Sequence, residues 1–146
     1  MADLHASTTP TASQINIALL LIRIGSALAF IYHGAAILFG AFGGPGPQGF
    51  AAYMKMPEAI GYLVGLAQFA GGIAVLTGVL IRVGAVCIII VMLGAIVLVH
   101  MAHGFNVSSG GYEYALTQLL LAAALFITGS GAYSLAGMLP PALRKL

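Results

Sequence analysis

The sequence predicts an all-α protein, a polytopic membrane protein built as a four-transmembrane-helix bundle. Three observations predict it. Of 146 residues, 61% are hydrophobic and 5% charged, whereas a soluble domain carries about 25% charged residues to keep its surface solvated. Four segments each approach the roughly 20 apolar residues that a membrane-crossing helix needs. These runs are continuous rather than alternating, which argues against strands, whose open edges would leave backbone groups unpaired in lipid. The chain reads as one membrane domain over residues 1–146, with a mean hydropathy of +1.08.

The first span is expected at residues 15–42. Asp3 and the lack of Lys or Arg ahead of it, together with an apolar run too long for a signal-peptide core, mark it as a retained span. The connection that follows, "GAFGGPGPQGFAAYMKM", is Gly/Pro-rich and long enough to hold a short re-entrant or interfacial piece. The second span is expected at residues 57–80, with Pro57 suited to its first turn, where a missing N–H costs nothing. Only Ile81 and Arg82 separate it from the third, at residues 83–101, so those two helices are close antiparallel neighbours. The polar segment "GFNVSSGG" leads to the fourth span, at residues 114–133.

Little hydrophobic drive exists between helices in lipid, so small residues mark the faces where backbones approach. The second span carries Gly61, Gly65, Gly71, Gly72 and Gly78, and the first carries Gly25 and Ala29 four apart. The first two spans are expected to touch along these faces. Basic residues near span ends set orientation: Arg82, Arg144, Lys145 and the nearby Arg23 oppose Lys55, which puts both termini in the cytoplasm. A short repeat pairs "IRIGS" at 22–26 with "IRVGA" at 81–85, each opening toward a His-Gly pair, His33-Gly34 and His103-Gly104.

Net charge is +2 with scattered basic residues, which excludes the clustered positive stripe of a nucleic-acid binder. Cys87 has no second thiol to pair with and reads as a small buried hydrophobe. The chain offers no activated nucleophile, phosphate loop or paired-carboxylate site, so it is not expected to be catalytic alone.

The informative residues are the polar ones inside the spans. Arg23 lies about 10 Å above the inner end of the first helix, where a charge is unfavourable by about 2.5–3.5 kcal/mol. Its expected partners are Gln68 or backbone carbonyls, unless it snorkels to the headgroups. His33, His100, His103 and Glu113, with Tyr114 beside them, are expected to converge at the outer membrane edge. The plainer alternative is that the histidines cap helix C-termini and Glu113 is a first-turn acid.

Arg23, then His33-Gly34, then "GLAQFAGGIAVLTGVLIRVGA", and finally "GSGAYSL" together resemble the DoxX family of four-helix membrane proteins over residues 18–136. The resemblance implies a prokaryotic inner-membrane protein related to small subunits of archaeal quinol oxidase and thiosulfate:quinone oxidoreductase systems. Where family members usually carry Lys, Glu and Asp, this chain has Ile37, Gln68 and Ala136. The intramembrane Arg–Glu pair that the resemblance would imply is therefore missing.

The leading functional reading is an accessory subunit of a membrane redox complex, at most one part of a quinone-linked oxidoreductase. It would pack against larger membrane subunits, and His33, His100, His103, Glu113, Tyr114, Arg23 and Gln68 are its candidate cofactor-binding residues, with quinone the expected ligand. Alternatives are a purely structural spacer, a haem- or metal-binding four-helix protein, and a small-solute carrier.

Overall fold

A computed structural model describes residues 9–143, and among them there are helices, turns and no strands. α1 spans Ala12–Phe39, α2 Gly46–Met54, α3 Glu58–Thr77, α4 Ile81–Ala95 and α5 Glu113–Thr128. α1 starts at a capping box, in which the Thr11 hydroxyl accepts from the Gln14 amide and the Gln14 side chain accepts from the Thr11 amide. Pro57 sits one residue before α3, as its N-cap.

α1, α3, α4 and α5 run antiparallel in succession and close into a bundle. Arg23 of α1 lies beside Val75 and Leu76 of α3, whereas Gly34 lies beside Phe69 and Leu38 beside Gly65. Gly71 of α3 meets Gly84 and Cys87 of α4. The ring closes where Ser26 of α1 meets Gln118 of α5. Ala27, Phe30, Val75, Ile88, Met92, Ala122 and Leu125 fill the centre.

The expected glycine face of the second span is therefore shared among several neighbours. Gly34, Gly65 and Gly72 mark the α1–α3 seam, Gly71 turns to α4, and Gly61 abuts the Pro47 carbonyl of α2. Gly25 has open space where a β-carbon would go, so that face of α1 takes no share in the seam.

Ala12–Phe39, Glu58–Thr77 and Ile81–His103 are long and apolar enough to cross a membrane, and Glu113–Thr128 is a shorter apolar helix. Leu21, Leu28, Leu63, Ile90, Leu120 and Ile127 are exposed on their outer faces, a coat that lipid rather than water can cover. This is an integral membrane protein. The fourth helix ends at Thr128, five residues short of the expected 133, because Gly129 and Gly131 adopt positive φ and carry the chain into a 3-10 turn at Leu135–Met138.

The first connection holds a short helix, α2, as its length anticipated. It lies against α1 and α3 at one end of the bundle, held there by Gln48 Nε2, which donates to Glu58 Oε1 at 2.7 Å and to the Tyr62 hydroxyl at 3.0 Å. Tyr32, Phe42, Tyr53 and Tyr62 are exposed at this same end, and Tyr32 stacks on Phe42 with ring centroids 4.7 Å apart. Aromatic side chains of this kind mark a membrane–water boundary.

Candidate functional site

Polar side chains inside the bundle form three levels. At the end opposite α2, Arg23 is 1% exposed. Its Nε donates to the Val75 carbonyl at 2.9 Å and its Nη2 to the Leu76 carbonyl at 2.6 Å. Nη1 donates to the carbonyls of Ser130 at 2.9 Å and Tyr133 at 2.6 Å. Val75 and Leu76 belong to the last turn of α3, whose carbonyls have no helical partner and carry the negative end of the helix dipole. Of the partners the sequence suggested, the carbonyls hold Arg23, and Gln68 stands elsewhere. Gly78, at φ +75°, is required beside it, since a β-carbon there would lie 2.9 Å from Nη2.

The repeated arginine does the same for the other hairpin. Arg82, at the foot of α4, donates through Nε to the Phe126 carbonyl in the last turns of α5 at 3.1 Å.

At the middle level, Ser26 Oγ donates to Gln118 Oε1 at 2.8 Å, and both residues are buried. Sequence reasoning missed this pair. The signal was available, because each is an uncharged polar residue within an otherwise apolar span.

The third level is a cavity of about 650 Å³ at the α2 end, bounded by α1, α2, α3, α4 and α5. This is an ordinary size for a small-molecule site. Phe30, Ile37, Val64 and Met92 give it apolar walls, and Phe50, Tyr53 and Met54 of α2 cover it, a contribution the sequence pattern does not reveal. His33, Gln68, His100 and Tyr114 supply polar groups. His33 and Tyr114 are exposed and mark the rim, and the His33 ring meets Tyr32 edge-on at 5.4 Å.

Gln68 is 7% exposed, yet its amide makes no hydrogen bond with the described residues. No side-chain nitrogen or oxygen among those residues is both fully enclosed and unpaired. The amide is therefore open to the cavity.

His100 is placed by an irregularity in α4, where Ile96–His100 form a π-helical turn followed by a 3-10 turn at Met101–His103. Single π turns are common at functional sites because the extra residue re-aims the side chains beyond it. Here Leu98, Val99 and His100 come to the cavity wall. His100 Nδ1 lies 2.6 Å from the Gly110 carbonyl oxygen. A carbonyl can only accept, so Nδ1 carries the proton, and Nε2 of the neutral ring keeps a lone pair.

The expected cluster is therefore divided. His33, Gln68, His100 and Tyr114 share the cavity, while His103, Glu113 and Arg23 are not on its wall. His103 is exposed and bonds through Nδ1 to the Val99 carbonyl at 3.0 Å. Glu113 Oε2 accepts from the Val107 amide at 3.0 Å, which fastens the α4–α5 loop. Among the described residues no group of three or more His, Cys, Asp or Glu could hold a metal ion.

The family model described as DoxX matches residues 18–101. No curated protein and no solved structure matches the chain.

Proposed function

We propose, from the premise that the chain belongs to the DoxX family, that it is an accessory subunit of a membrane redox complex whose α2-end cavity receives a quinone-class headgroup. The observation that carries this reading is the Gln68 amide, a donor and acceptor that faces a largely apolar chamber and has no partner among the described residues. Such a group is unfavourable by about 1–3 kcal/mol unless something bonds to it. A ring oxygen of a quinone or quinol would accept from the amide, Tyr114 would offer a hydroxyl at the rim, and the apolar walls would hold the ring and the start of its tail. The chain's part is to bind and orient, while the oxidised or reduced group is supplied by the ligand and the larger subunits.

The natural setting for this role is a prokaryotic plasma membrane, with both termini in the cytoplasm and the cavity at the outer leaflet. Arg82 at the end remote from α2 supports that orientation.

Gentle solubilisation followed by identification of co-purifying subunits and extracted lipid tests the reading. A redox partner and bound quinone are expected, with the quinone lost from Gln68→Leu protein. Protein that emerges alone and without quinone would overturn it. A spacer role is favoured by the glycine-packed α1–α3 seam, and would show as partner binding that survives Gln68→Leu with undiminished quinol-dependent activity.

A further inference from the structure

We infer that the cavity selects its ligand by hydrogen-bond direction, taking an apolar molecule that presents a hydroxyl proton in preference to the counterpart that lacks it. The inference rests on the reading of the cavity as a ligand site and deepens it, since it distinguishes the reduced quinol from the oxidised quinone.

His100 sets the direction. Its Nδ1 proton is committed to the Gly110 carbonyl at 2.6 Å, and that carbonyl belongs to a well-tied loop. The Gly111 amide donates to the Asn106 carbonyl at 2.9 Å, the Tyr112 amide to the Gly104 carbonyl at 3.0 Å, and the Glu113 amide to the Phe105 carbonyl at 2.9 Å. Turning the ring over would strand the Gly110 carbonyl, so Nε2 is the ring nitrogen left for a ligand, and in the neutral ring it accepts.

A hydroxyl placed there donates its proton to Nε2. A carbonyl oxygen in the same place sets two lone pairs against each other, and the desolvated Nε2 goes unpaired. Gln68 does not discriminate, because its amide both donates and accepts. The polarity of the site is therefore set on the His100 side. Tighter binding of the hydroxyl form also raises the potential of a bound two-electron couple, by about 30 mV for each tenfold preference.

The test uses the full-length protein in lipid nanodiscs and two probes of nearly equal shape, para-hexylphenol and its methyl ether. The phenol is expected to bind about tenfold more tightly. The preference should vanish in His100→Phe and persist in His103→Phe. Equal affinities in the unaltered protein would overturn the inference while leaving the cavity as a ligand site. Binding of neither probe would overturn both. A preference that survives His100→Phe would remove His100 from the explanation and overturn the inference as stated. Should His100→Phe fail to fold, NMR of isotope-labelled histidine in the unaltered protein decides the same question. The phenol should shift the His100 Nε2 resonance and leave Nδ1 protonated, and an unmoved Nε2 would overturn the inference.

Discussion

Arg23 Nε donates a 2.9 Å hydrogen bond to the carbonyl of Val75, fastening the lower half of α1 to the last turn of α3. Three further carbonyls complete the arrangement, so a full positive charge is balanced by peptide dipoles and the end of a helix dipole. Removing the guanidinium would leave those oxygens short of donors in a water-poor interior.

Arg23→Leu is accordingly expected to destabilise the protein by about 3 kcal/mol. Arg23→Lys keeps the charge but cannot reproduce the planar fork, and should fall between. Thermal denaturation in detergent ranks the three proteins, and a Leu variant as stable as the parent would show that the carbonyls need no partner.

Gly34→Ala should cost about 1–3 kcal/mol by overpacking, since its β-carbon would meet the backbone of Phe69. Gly25→Ala, on the same helix but facing open space, should be neutral or stabilising by up to about 1 kcal/mol. Unfolding midpoints measured side by side would refute the seam if both substitutions behaved alike.

Gln68→Leu should make the empty protein more stable by about 1 kcal/mol, because a buried amide without a partner is replaced by an apolar group, and should abolish ligand binding. A gain in midpoint together with a loss of binding is the signature of a functional polar residue. A loss of both would assign Gln68 to the core instead.

Ser26→Ala and Gln118→Leu, made singly and together, should show a coupling of about 1 kcal/mol in a double-mutant cycle, as neighbours in one hydrogen bond do. Additive effects would dissolve the middle level as a tie between α1 and α5.

In a Cys87→Ala background, Ala52→Cys on α2 should react with an impermeant thiol reagent added outside intact cells, and Gly137→Cys at the opposite end should be protected. The reverse pattern would invert the proposed orientation.

The bundle is legible in the sequence because lipid as solvent leaves its mark on whole segments: three long apolar runs form α1, α3 and α4 with ends displaced by a few residues. The fourth is expected too long because hydropathy continues past Gly129, while backbone conformation does not. The partners of Arg23 are less visible, since carbonyls belong to every residue and only tertiary contact selects Val75, Leu76, Ser130 and Tyr133. By helical spacing alone, His100 and His103 share a face one turn apart. The π turn and the 3-10 turn after it break that periodicity, sending one ring to the cavity and the other to the surface. Arg23 and Arg82 show the opposite case, where a five-residue likeness in sequence marks a shared structural role.

The brevity of α5 has a consequence for the surrounding membrane. Its 16 residues make a rod about 24 Å long, against a hydrocarbon thickness of about 30 Å, while α1 beside it has 28 residues and reaches about 42 Å. One flank of the protein is thus undersized for the acyl chains it meets and the other oversized. Hydrophobic mismatch of this kind thins the leaflets beside a short flank and favours residence in thinner bilayers.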